Sequence, residues 1–341
     1  MFNRVFRNLL IVLFLIVLTG CQNRYEKQSK YSETKLLMGT IVRVDTCAND
    51  NSSQVKTLAY SQMWERLEEI SWRMNVFDEK SDVSRINQSY PDSAKVKADT
   101  YEIIARSQDF SRLTNGAFEI TVWPLIKLWK ESAKKNSMPS LSEVEEAKSA
   151  VGANRYVLEG SNQVRTMHKD TRLDLGGNAK GYAIDEAARI LRANKIQNFF
   201  IDAGGDVYVG GKNCVGKKWR VGIRDPRFLN KIFDVVNVSN MAVTTSGNYE
   251  QFIEIKGKKF SHIIDPQTGF PQKDVVSATV IAKSAEEADV YSTALCVLGA
   301  KKGTDLINQL GGSFSSMILL KKDEGQIEKF LSKRYTTFQD K

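Results

Sequence analysis

Five short segments hold most of the side chains able to do chemistry. Asp174 to Gly181 reads Asp-Leu-Gly-Gly-Asn-Ala-Lys-Gly, between a strand-like stretch and an amphipathic one. Glycines at 176, 177 and 181 let the backbone approach a ligand, a helix N-terminus favours phosphate, and Lys180 adds a point charge. The spacing matches neither a P-loop nor a dinucleotide fingerprint, and a tight strand-to-helix turn without a ligand accounts for the same residues. Asp202-Ala-Gly-Gly-Asp206 sets two carboxylates around a glycine pair, suited to hydrogen-bonding a ribose or to turning a strand. Thr244, Thr245, Ser246 and Gly247 make a third polar corner. His262 precedes Ile-Ile-Asp265-Pro-Gln-Thr-Gly269; it can serve as a general base, or simply stand before a type I turn. Asp289 and Thr293 lie four apart on an expected helix, so their oxygens share one face and suit a hard cation such as Mg²⁺. Helix capping by Asp289 and back-bonding by Thr293 is the competing account.

Composition narrows what these segments can be. Only 2 histidines occur in 341 residues, which excludes a His-rich metal centre and leaves oxygen ligands. His168, in the polar run Met-His-Lys-Asp-Thr, reads as a bystander. Four cysteines exclude a dense disulfide framework. Cys296 sits in an apolar run as a small hydrophobe, and a Cys47–Cys214 bridge is left open by the sequence. A hydrophobic fraction of 42% with 26% charged residues excludes a wholly disordered chain. The +9 charge is dispersed rather than clustered, which argues against nucleic-acid binding.

The elements that must position these residues follow an N-terminal segment of different character. Arg4 and Arg7 precede ten unbroken apolar residues, Leu9 to Leu18, then Thr19, Gly20 and Cys21. Ten residues span about 15 Å as a helix, roughly half a bilayer core, so the segment reads as an export signal rather than a stable span. Residues 1–20 are expected as a signal peptide, 21–34 as a polar tether and 35–335 as one catalytic body. Residues 36–46 read as the first strand. Helical spacing covers 53–74, 100–115, 180–194 and 286–298, with a capped turn at 81–87 and a short helix at 142–149. Residues 121–129 are apolar and aromatic around Pro124, and 134–140 read as a loop. From 156 onward short strands alternate with turns, including an expected hairpin of 252–255 with 262–264 around Gly257. The fold class is α+β.

In this order, the motifs resemble the FAD:protein FMN transferase family, the ApbE-like flavin transferases. The likeness rests on Met38-Gly-Thr40, Ser81 to Asn87 (SDVSRIN), DLGGNAKGYAID, FIDAGGD, Trp219 to Pro226 (WRVGIRDP), TTSGNYE, HIIDPQTG and ADVYSTALCVLG, from about Met38 to about Gly299. The end of the apolar run, Leu18 to Cys21, similarly resembles a bacterial lipobox, which implies acylation of Cys21. The family resemblance implies mixed and antiparallel sheets with packed helices, a fold related to the T-fold, and Mg²⁺-dependent transfer of FMN from FAD to a Ser or Thr hydroxyl of an acceptor protein with release of AMP. It implies His262 as the base and Lys180 at the pyrophosphate. It further implies FAD contacts from Met38, Gly39, Thr40, Phe77, Glu119, Asp174, Lys180, Gly181, Asp202, Gly205, Asp206, Ser246, Gly247, His262 and Asp265, and a Mg²⁺ site from the Ala179 carbonyl, Asp289 and Thr293. Implied acceptors are subunits of a sodium-pumping NADH:quinone oxidoreductase or an Rnf-type complex. The implied location is the periplasmic side of the inner membrane, held there by the lipid. Two departures stand out. Met74-Asn-Val-Phe77 replaces a run that often ends in Tyr, which bears on how far FAD hydrolysis to FMN and AMP competes with transfer. Trp123 stands where relatives often carry a small residue.

Overall fold

The computed structural model describes residues 29–48, 53–248, 252–322 and 326–340. The signal segment and Cys21 lie outside them. Strands β1 (Ser29–Leu37) and β2 (Thr40–Ala48) form a hairpin in register from Leu37↔Thr40 to Ser29↔Ala48. Met38 and Gly39 turn the chain at φ of 51° and 71°, the left-handed pair of a tight two-residue hairpin. This corrects two expectations. Residues 36–46 are not one strand but parts of two, and Ser29–Thr34 are not tether but strand. β1 flanks the sheet on one side only and keeps most side chains in water, so it carries no apolar period to read.

Helices α1 (Ser53–Arg73) and α2 (Asp82–Gln88) follow, then β3 (Ala94–Lys95), α3 (Ala98–Leu113), α4 (Trp123–Lys134) and α5 (Leu141–Ser149). Ser81 caps α2, its Oγ accepting from the Ser84 N–H at 2.9 Å. Pro124 sits at the start of α4, where a helix needs no N–H, so the apolar run at 121–129 is mostly helix. Strands β4 (Tyr156–Glu159) and β5 (Gln163–Thr166) join β3 in a small sheet, ahead of α6 (Ala179–Ala193). The remainder is β6 (Phe199–Ala203), β7 (Asp206–Gly210), β8 (Trp219–Asp225), β9 (Phe228–Val238), β10 (Met241–Gly247), β11 (Phe252–Ile255), β12 (Lys258–Ser261), β13 (Val275–Ala282), α7 (Ala285–Leu310), β14 (Ser315–Lys321) and β15 (Ile327–Leu331). β11 pairs with β12 rather than with 262–264, which leaves His262 just beyond the hairpin. Helix α7 outruns its expected end because the chain resumes helical geometry after a break at Gly299 (φ 77°, ψ 178°).

The central sheet runs β1-β2-β6-β7-β10-β13-β14-β15, antiparallel throughout. Alternation along each strand sends one set of side chains to either face. On one face Val44, Ile201 and Val280 meet Met63 and Leu67 of α1, Ile184 and Leu191 of α6 and Leu295 of α7 in the main core. On the other, Val207, Val209, Ile281 and Met317 are covered by Val221, Ile223, Val236 and Val238 of the β8–β9 ribbon. A third cluster joins α4, α5 and the β11–β12 hairpin around Trp129, Val144 and Ile253. A disulfide links Cys47 at the far end of β2 to Cys214 ahead of β8. Among the described residues, no helix is long and apolar enough to cross a membrane.

Candidate active site

The β1–β2 turn, the ends of β6, β7 and β10, the start of α6 and one face of α7 enclose a cleft of about 570 Å³, completed by α4 and the His262 loop. Close approach of turns makes it possible. A Cβ on Gly204 would lie 2.3 Å from Thr40 Oγ1, so glycine lets the β6–β7 turn rest on the β1–β2 turn. Met38, Gly39, Thr40, Phe77, Glu119, Asp174, Lys180, Asp206, Ser246, Gly247, His262, Asp289 and Thr293 all line this one space. Residues nearly 260 positions apart in the chain are thus neighbours.

Charge is concentrated at the α6–α7 wall. Lys180 is paired with the buried Asp206 and stands 3.8 Å from Asp289 Oδ1. Asp206 Oδ1 also accepts the Thr245 N–H at 3.0 Å, which ties β7 to β10. Asp289 Oδ2 accepts the Gly181 N–H at 3.1 Å. Burial pushes the Asp289 carboxyl above the usual carboxylate range, and the charge of Lys180 opposes that shift. Beside it, Ser246 Oγ lies 2.7 Å from Ser292 Oγ and 3.1 Å from Thr293 Oγ1. Among the described residues no three His, Cys, Asp or Glu side chains gather as a metal cage. A cation here would draw on one carboxylate, on hydroxyl and carbonyl oxygens and on the ligand's own oxygens. That donor set suits a hard ion such as Mg²⁺, and a buried, incompletely neutralised carboxylate fits it.

The opposite wall is apolar above and acidic below. Phe77, 72% exposed at the rim, meets Trp123 edge to face at 5.4 Å, with Lys130 Nζ 5.3 Å from the Trp123 ring centre. Glu119 is buried and accepts from Ser111 Oγ at 2.9 Å and from the N–H and Oγ1 of Thr121 at 3.1 and 2.9 Å. Burial raises its pKa, and those bonds pull it back. Asp174 is likewise raised by burial; its Oδ1 accepts the Gly176 N–H at 2.8 Å. His262 is half-buried, and the loop after it is held at three points. Asp265 accepts from the Gln267 N–H at 2.9 Å and from Thr268 Oγ1 at 3.0 Å, while Trp129 Nε1 donates to the Gly269 carbonyl at 2.9 Å.

Five of the residues expected at the ligand or the metal lie outside the cleft lining, and some of them close turns. Asp202 and Gly205 lie outside the cleft lining; the Asp202 carboxylate accepts the Gly205 N–H at 2.8 Å and closes the β6–β7 turn. Asp265 is also outside the lining, its carboxylate committed to the loop. Gly181 is buried and gives its N–H to Asp289; a Cβ there would fall 2.4 Å from the Ala285 carbonyl, so glycine lets α6 touch α7. Ala179, the first residue of α6, does not line the cleft. Sequence reasoning missed Ile126 and Lys130 as wall residues, although with Trp123 they follow the i, i+3, i+7 spacing of one helix face.

An α+β scaffold of antiparallel sheets whose strand ends open onto a cleft of small-molecule size, walled by buried carboxylates, a lysine and a histidine, has the form of an enzyme active site. The chain belongs to the ApbE family, whose model matches residues 38–318. It is 27% identical to the FAD:protein FMN transferase of Haemophilus influenzae over 96% of each chain, and 29% identical to that of Vibrio cholerae over 98% of this chain and 100% of the other. The crystal structure of the ApbE protein of Thermotoga maritima matches with a TM-score of 0.81 at 31% identity, covering 92% of this chain and 100% of that one. The flavin transferase ApbE from Vibrio cholerae also gives 0.81, at 27% identity, covering 91% and 99%.

Proposed function

We propose that this enzyme moves FMN from FAD onto a Ser or Thr hydroxyl of an acceptor protein, with AMP as the second product and Mg²⁺ as the required ion. The observation that carries the reading is the convergence of His262, Lys180, Asp206, Asp289 and Thr293, from four separate segments, on one cleft. In the step, the acceptor oxygen attacks the FMN-side phosphorus and its proton passes to His262. The bond from that phosphorus to the bridging oxygen breaks, and the bridging oxygen leaves with AMP. Lys180 offsets the charge that develops on the pyrophosphate, and Asp206 fixes the lysine's position. Asp289 and Thr293 are the cleft residues that would hold Mg²⁺, which would supply Lewis-acid stabilisation of the leaving phosphate. Phe77 and Trp123 offer ring surface for the isoalloxazine.

His262→Ala is expected to lower the transfer rate at least 100-fold while FAD affinity, measured by titration, stays within about twofold. A parallel loss of FAD binding would show that His262 holds the ligand rather than the proton. Release of free FMN with no labelled acceptor would identify the wild-type protein as an FAD pyrophosphatase instead.

The acceptors we propose are flavoprotein subunits of sodium-pumping or Rnf-type electron-transport complexes, tested by the same fluorescence assay on each candidate. We place the enzyme on the periplasmic face of the inner membrane, anchored through Cys21. The Cys47–Cys214 disulfide supports an oxidising compartment. Cys21→Ser is expected to move the protein from the membrane to the soluble fraction; unchanged fractionation would reject the anchor.

A further inference from the structure

We infer that the exposed pair Leu36 and Ile41, on the outer face of the β1–β2 hairpin, is the ledge on which the acceptor protein rests. The inference depends on the transferase reading above. A cleft of about 570 Å³ is the size that holds one small molecule. A protein substrate therefore stays outside it, and only its reacting hydroxyl enters. The body of the acceptor must sit on the rim.

At that rim the hairpin departs from its own pattern. Leu36 and Ile41 are direct cross-strand partners, 79% and 63% exposed. Their side chains point away from the helices, because Val42 and Val44 on the alternate positions fill the main core. Further along the same face the partners are polar: Thr34 opposite Arg43 and Ser32 opposite Asp45. The β8–β9 ribbon covers this side of the sheet, with Trp219 against Phe200 of β6, and Leu36 and Ile41 are not among the side chains packed beneath it. The pair also adjoins the cleft wall. Three of the four residues between them, Met38, Gly39 and Thr40, line the cleft, and the Ile41 carbonyl accepts the N–H of Gly204, another lining residue, at 3.1 Å. Two branched aliphatic side chains held a residue or two from a catalytic wall, with none of the described residues packed over them, fit an apolar patch beside the acceptor's reacting hydroxyl.

The test uses the full chain and, as probe, a folded flavoprotein domain that the wild-type enzyme labels on a Ser or Thr hydroxyl. Leu36→Lys and Ile41→Lys are each expected to raise KM for that domain about tenfold, from the lost burial of one aliphatic side chain. Saturated kcat and FAD affinity should stay within about twofold. Ile232→Lys, an equally exposed position on the ribbon, should change none of these. Unchanged KM, or a fall in kcat or FAD affinity in its place, overturns the ledge. Wild-type protein that labels no acceptor overturns the transferase reading and the ledge together. A maleimide-reactive Leu36→Cys variant separates the occupants. Protection by the acceptor domain supports the inference, whereas protection by phosphatidylglycerol vesicles or by raised enzyme concentration assigns the pair to a membrane or a second copy and overturns it.

Discussion

Aspartate does two jobs in this chain, and position alone separates them. Asp289 is buried with one N–H bond and, at 3.8 Å, a lysine that is itself paired with Asp206, which makes it the carboxylate we propose for a cation. Asp289→Asn is expected to raise the Mg²⁺ concentration for half-maximal transfer roughly tenfold or more, read from Mg²⁺ titrations at saturating FAD. An unchanged titration would remove Asp289 from the metal site. Asp202 and Asp265 spend their carboxylates on backbone N–H groups one turn away. The sequence could not tell these uses apart, because an Asp two or three residues before a glycine or a turn is equally good as a ligand and as a turn-closer. His262, Lys180, Asp206 and Thr293 were legible for the opposite reason. Histidine is rare here, with 2 in the chain, and the other three stand in ordered motifs that carry the family resemblance; all four line the cleft.

At the level of elements, the contact between α6 and α7 sets the site. Gly181 permits it, and Asp185 secures it by accepting from Ser284 Oγ at 2.7 Å and from the N–H groups of Ala285 and Glu286 at 2.8 and 3.0 Å. Glu286, buried against Arg106 at 2.9 Å, is pushed up to about 7 by burial. Between its usual 4.5 and 7 the folded protein keeps a proton that the unfolded chain has released, so stability falls as pH rises through that window, by about 3 kcal/mol at most. Glu286→Gln should abolish this component, so that urea midpoints at about pH 5 and about pH 8 converge; an unaltered pH slope would locate the effect elsewhere. Helices with one apolar stripe, such as α1 and α6, were readable within a few residues. The α4 helix and the second half of α7 were not, because Pro124 and Gly299 are breakers in sequence and tolerated boundaries in the fold. Edge strand β1 was hidden by its polar composition.

For the whole molecule, sheet order was the least legible feature. Neighbours β2 and β6 are joined only after 150 intervening residues, and no local pattern encodes that pairing. The Cys47–Cys214 bridge, closing 167 residues, fastens the same edge and contributes roughly 2–5 kcal/mol by constraining the unfolded chain. That arrangement has a consequence for how the enzyme is made. The cleft draws its walls from Met38 through Val297, so a chain growing from its N-terminus has no complete ligand pocket until almost nine-tenths of it has been synthesised. Ligand capture is thereby a late event in the protein's life, one that waits for nearly the whole chain.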